Sequence, residues 1–176
     1  MSWDELCARI SQSPCGQMFP GTSCVIGRGS LTPDVVFVGE APGAAEDEQG
    51  IPFVGRSGQL LDRWISFLGV DDRFYIVNVL KCRPPGNRNP TSAEVSVCTP
   101  FLNEQLAFLR PRIIVCLGRF AMRFFFPSKK NILAESGKLI DNRFVILPHP
   151  SYFIRRGGTG WEEYLEPIKS ILSNPE

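Results

Sequence analysis

Val35-Val36-Phe37-Val38 runs straight into Gly39-Glu40-Ala41-Pro42-Gly43. Four consecutive apolar, mostly β-branched residues ending in glycine and a carboxylate read as a strand buried on both faces. The same pattern recurs three times. Phe74–Val77 ends at Asn78, Ile113–Leu117 ends at Gly118, and Phe144–Leu147 ends at Pro148-His149. Between these runs the apolar spacing is helical over Gly58–Leu68, Ser92–Leu109 and Arg119–Phe126, and again outside them over Trp3–Ile10 and Trp161–Leu172. Strands that alternate with helices predict a parallel sheet covered on both sides. The expectation is an α/β fold, a three-layer α/β/α sandwich around a central four-stranded parallel sheet.

The 176 residues amount to a single domain, 1–176, with 43% hydrophobic and 21% charged residues. No apolar run approaches the ~18 residues of a membrane span. Met1-Ser2-Trp3-Asp4-Glu5 lacks the basic start of a secretory signal. The expectation is a cytoplasmic monomer without membrane contact. The net charge of +1 excludes a simple polycation but hides an asymmetry. From Arg110 to Arg156 ten basic residues face two acidic ones, whereas residues 1–80 carry ten acidic against five basic. A basic half of this kind suits a phosphate backbone.

In open α/β sheets, ligands bind beyond the carboxyl ends of the strands. Here that rim receives Gly39-Glu40, Asn78 and His149-Pro150-Ser151. The loop Gly39–Asp47 holds Glu40, Glu46 and Asp47 but not the Gly-Lys-Ser/Thr close of a phosphate loop, so a nucleotide cradle is excluded. A carboxylate on a rigid loop there suits a positioned water or a developing cation. Phe53, between Pro52 and Val54-Gly55, reads either as core or as a platform for a flat ring. Ser57 lies outside any Gly-x-Ser-x-Gly elbow. His149 is the only histidine, which excludes a multi-histidine metal centre. Of the six cysteines, Cys116 lies inside a strand run and reads as core.

Four segments in order, Val38–Gly43 through Glu46-Asp47, Pro52–Gly55, Val77–Pro85 with Asn87-Arg88, and His149–Tyr152, resemble the family 4 uracil-DNA glycosylases, the iron–sulfur branch. The resemblance runs from about Cys15 to about Arg155. It implies a repair enzyme that flips uracil out of single- or double-stranded DNA and hydrolyses its glycosidic bond. By the family pattern Phe53 stacks on the base, and Asn78 reads its N3–H and O4. His149 donates to O2. Glu40, aided by Glu46, holds the water or offsets the sugar cation. Gly39, Ser151 and Arg155 line the substrate, and Phe153 fills the gap left by the base. Family members usually carry leucine at that wedge; this chain has Phe153-Ile154.

The resemblance also implies a [4Fe–4S] cluster on four cysteines. Cys15, Cys82 and Cys98 match three of them. The first cysteine of the family's near pair falls at Gln12, which leaves Cys24 as the expected fourth ligand, with Cys7 as its alternative. A related reading, non-turnover capture or binding of uracil-DNA on the same fold, is disfavoured. Its relatives carry a histidine-containing insertion near Asn87-Arg88, and Pro84–Pro90 has neither.

Overall fold

The computed structural model describes residues 1–173. In chain order its elements are α1 (Trp3–Gln12), β1 (Arg28–Gly29), β2 (Val35–Gly39), α2 (Ala44–Gln49), α3 (Arg56–Leu68) and β3 (Phe74–Asn78). After a short 3-10 turn at Pro85–Asn87 come α4 (Ser92–Leu109), β4 (Ile113–Leu117), α5 (Gly118–Phe125), α6 (Ile132–Glu135), β5 (Leu139–Ile140), β6 (Phe144–Leu147), α7 (Pro150–Ile154) and α8 (Glu162–Ser173). No helix among the described residues is long and apolar enough to cross a membrane.

The sheet has six strands in the order β1-β3-β2-β4-β6-β5, not the four expected. The four apolar runs pair in parallel, β2 between β3 and β4, with β6 beyond β4. Two-residue strands close both edges in antiparallel fashion. A pair of residues is too short to show any periodicity, so β1 and β5 leave no signal in the sequence.

Alternation along the central strands divides the core. Val35 and Phe37, with Ile76, Val115 and Val145, pack against the apolar stripes of α3 and α8. Val36 and Val38, with Val77 and Ile114, pack against α4. Parallel strands buried on both faces need this continuous apolar character. Cys116 is fully buried in β4, and burial pushes its thiol up to about 12. The helix boundaries follow local chemistry. Ser2 and Glu5 form a reciprocal cap on α1, as Thr91 and Glu94 do on α4. Left-handed Gly69 ends α3. Three short helices went unread from the sequence: α2, inside what looked like an open acidic loop, α6, and α7, inside the His149 motif.

Candidate active site

The carboxyl ends of the parallel strands frame a cleft of about 660 Å³, and its lining includes Glu40, Phe53, Asn78, His149, Ser151 and Arg155. Four separate segments supply them, and the register explains how two of them meet. Gly39 at the end of β2 lies directly opposite Asn78 at the end of β3. A Cβ on Gly39 would collide with Asn78 Oδ1 and with the Phe53 ring, so glycine is what lets the two approach. Asn78 is only 2% exposed, and its Oδ1 has no hydrogen-bond partner among the described residues. A buried acceptor left open costs ~1–3 kcal/mol, which a donor arriving in the cleft would return.

Phe53 is buried and holds a left-handed backbone, with φ of 54°. That conformation is unusual for a bulky side chain and costs ~1–3 kcal/mol. Its ring centroid lies 5.7 Å from that of His149, tilted by 33°. The two rings form adjoining walls.

His149 caps α7. Its Nδ1 accepts from the Ser151 backbone N–H at 3.2 Å and lies 2.9 Å from Ser151 Oγ, which Arg155 approaches in turn at 3.5 Å. Because a backbone N–H can only donate, Nδ1 is the accepting nitrogen and the proton of the neutral ring sits on Nε2. Burial, with Arg155 nearby, brings the imidazole down to about 4, against a weaker opposing pull from Glu46. At neutral pH His149 is therefore an uncharged donor through Nε2.

The two expected carboxylates part company. Glu40 lines the cleft and makes no hydrogen bond or ion pair through its side chain among the described residues. Burial raises its carboxyl above the usual range. Glu46 does not line the cleft. Its Oε2 accepts from Gly43 N–H at 3.1 Å, and its Oε1 accepts from Val54 N–H at 3.1 Å and Gly55 N–H at 3.4 Å. Glu46 thus ties the Glu40 loop to the Phe53 loop.

The expected wedge residue, Phe153, lies in the core behind α7. Phe153 is 2% exposed and packs edge-on to Trp64 at 5.6 Å and Tyr164 at 5.5 Å. A ring held in the core behind α7 cannot also enter a base stack from where it sits. Tyr152 and Ile154, either side of it, are half-buried, and Tyr152 lines the cleft.

The structure adds residues that the sequence reading passed over. Arg119 and Arg123, from α5, line the cleft beside Arg155. The available signal was Gly118, where the third strand meets its helix. Its φ is 91°, and a Cβ there would press on His149 Cβ at 3.1 Å. Of the ten cations between Arg110 and Arg156, these three face the site. Arg88 lines the adjoining hollow with Glu40 and His149.

The cysteines lie away from this cleft. Cys15 and Cys98 form a disulfide, and Cys82 Sγ donates to Cys15 O at 3.4 Å and Gly16 O at 3.2 Å. Cys24 precedes Val25, whose N–H donates to the carbonyl of Lys81, the residue before Cys82, at 2.7 Å. Burial raises the Cys24 thiol, and Ser11 hydrogen-bonds to it. Four cysteines in this region, three of them buried, suit a four-thiolate group in kind. Their placement does not match it: Cys15 and Cys98 are joined to each other, and no group of three or more metal-ligating side chains is assembled among the described residues.

Comparison with known proteins agrees with this geometry. Residues 26–170 match the family model "Uracil DNA glycosylase superfamily". The type-4 uracil-DNA glycosylase of Thermotoga maritima is 44% identical over 140 residues, 76% of this chain and 73% of that protein. That of Saccharolobus solfataricus is 41% identical over 160 residues, 85% of this chain and 71% of that protein. That of Archaeoglobus fulgidus reaches 52% over 106 residues, 60% of this chain and 53% of its own length. With a matched segment that takes in all four parallel strands and every cleft residue described above, the chain belongs to the uracil DNA glycosylase superfamily.

Proposed function

We propose that this protein is a uracil-DNA glycosylase of the type-4 kind, a DNA-repair hydrolase that releases uracil and leaves an abasic site. The observation that carries the reading is Asn78 Oδ1, buried and without a partner among the described residues, in the cleft that Phe53 and His149 also line. A flat ring that stacks on Phe53 and presents an N–H to that oxygen is what the cleft accepts. Uracil offers N3–H there. Cytosine offers a bare ring nitrogen, so Asn78 Oδ1 would stay unpaired against it.

The chemistry follows from the protonation states. As the glycosidic bond breaks, negative charge grows on the departing base. His149 Nε2–H, fixed by the Ser151 bonds to Nδ1, is a neutral dipole available to O2. The uracil anion needs such a donor more than it needs a proton. Positive charge grows on the sugar, and Glu40 brings a carboxylate with no other partner to that side, able also to orient the attacking water. Glu46 keeps the two loops in register. Arg119, Arg123, Arg155 and Arg88 ring the opening and suit the phosphates of DNA, whether single- or double-stranded. Hydrolysis here requires no electron transfer. A [4Fe–4S] group would require Cys15 and Cys98 as free thiolates beside Cys82 and Cys24; it would tie the N-terminal segment to α4 and supply no step of the reaction.

Release of free uracil from a labelled single-stranded oligonucleotide tests the activity. Turnover is expected; a stable adduct or binding alone overturns it. Asn78→Asp should lose uracil release, and full activity in that variant refutes the assigned role. Iron and sulfide analysis of anaerobically purified protein tests the cluster. Cys24→Ser should lose the metal and Cys7→Ser should keep it, and a wild type without iron ends that part of the reading.

A further inference from the structure

The stacking ring stands on a strained loop, and part of what holds that loop comes from outside the four motifs. Arg28 lies on the edge strand β1, opposite Ile76 of β3, two residues before Asn78. Its Nε donates to Pro52 O at 3.1 Å and its Nη2 to Phe53 O at 3.4 Å. The same Nη2 pairs with Asp62 Oδ1 of α3 at 2.5 Å, and the guanidinium lies 5.6 Å over the Phe74 ring. The first turn of α3 presses on the same carbonyl, since a Cβ on Gly58 would clash with Phe53 O. On the far side of Phe53, Glu46 takes the N–H groups of Val54 and Gly55. The Phe53–Val54 peptide is therefore held at both ends, its C=O by Arg28 and its N–H by Glu46, and Arg28 takes the carbonyl of the peptide before it as well. The residue between these two peptides is the one with φ of 54°.

We infer that Arg28, oriented by Asp62, is a positioning residue. It holds Phe53 in its left-handed conformation and so sets the plane on which the base stacks beside Asn78. Arg28 itself does not line the cleft. A guanidinium is suited to this task because its fixed fork reaches two adjacent carbonyls and a carboxylate at once; a lysine ammonium carries no such fork. As an ion pair alone, with Asp62 half in water, the contact would contribute little. Its effect is expected in the geometry of the ring, not in global stability.

The inference rests on the reading that Phe53 stacks on uracil, so the experiment separates the two. Inhibition by free uracil reports pocket binding without chemistry. It would be measured with kcat and KM on a uracil oligonucleotide for full-length Arg28→Ala, Arg28→Lys, Asp62→Asn, Phe53→Ala and the Arg28→Ala/Phe53→Ala double variant. Arg28→Ala should weaken uracil inhibition about tenfold, the scale of one released backbone strain, and raise KM more than it lowers kcat. Arg28→Lys and Asp62→Asn should fall between it and wild type. In the Phe53→Ala background, Arg28→Ala should add less than twofold, because its effect passes through the ring. If Arg28→Ala poorly folds, Arg28→Lys and Asp62→Asn carry the same comparison. Uracil inhibition within twofold of wild type in Arg28→Ala, with a loss in Phe53→Ala, overturns the clamp alone. No loss in Phe53→Ala overturns the stacking reading beneath it. Equal further losses in both backgrounds would mark Arg28 as merely structural.

Discussion

The cleft and the aromatic layer behind it are joined by one short helix, and they treat their side chains in opposite ways. At the start of α7, His149 offers Nε2–H to a cleft where Asn78 Oδ1 and the Glu40 carboxylate have no partner among the described residues. Four residues on, Phe153 is enclosed by Trp64, Tyr152 and Tyr164. The open groups cost stability and the enclosed ring supplies it. Binding groups can be left unsatisfied because the layer immediately behind them is well packed. That layer has an orphan of its own, Trp64 Nε1, for which the structure gives no functional reason.

The largest expected effect lies on the packed side. Phe153→Ala should lose about 3–5 kcal/mol of stability, as deletion of a buried aromatic ring does, while the folded fraction keeps its affinity for uracil-DNA. Denaturant unfolding beside binding would show it. Unchanged stability with weakened base capture would restore Phe153 as the wedge and erase the contrast.

On the open side, His149→Ala should slow uracil release ~10²–10³-fold, the usual consequence of removing one preorganised donor. Single-turnover kinetics measure this directly, and a rate within threefold of wild type would remove His149 from the chemistry.

Acid sharpens the comparison. His149 titrates near 4 in the folded protein and near 6.5 when unfolded, so the unfolded chain binds its proton first. Its contribution is fully present above pH 6.5 and is lost as the pH falls towards 4, about 3 kcal/mol in all. His149→Gln should flatten that part of the stability profile. Over pH 5.5–8 the imidazole stays neutral, so it should impose no step on the rate there.

The smallest expected shift is a gain. Burial raises the Glu40 carboxyl, so its charged form is held at a cost above that titration. Glu40→Gln should unfold at a slightly higher temperature at pH 7 while releasing uracil more slowly. Loss of both stability and rate would mean that Glu40 is a structural residue like Glu46.

Glu40 and Glu46 also mark the limit of what sequence can resolve. Both sit in one acidic segment, and nothing in their identity separates a carboxylate left open from one spent on Gly43, Val54 and Gly55. Residue type and spacing placed Gly39, Glu40, Asn78 and His149 on one rim, because buried strands announce themselves as apolar runs and a sheet delivers whatever follows them to one edge. The same rule applied to Gly118 would have led to Arg119 and Arg123. Phe153 was ambiguous because an apolar side chain suits either a core or a base stack, and only its neighbours show which surroundings it has. By itself, then, the chain determined the parallel strands, the covering helices and the chemistry at the strand ends, all of which depend on local pattern. The tertiary structure alone decided which carboxylate is open, which aromatic is buried, which nitrogen of His149 bears the proton, and that Arg28 reaches Phe53 across 25 residues. Those outcomes depend on partners distant in sequence or on hydrogen-bond direction, and no local period encodes either.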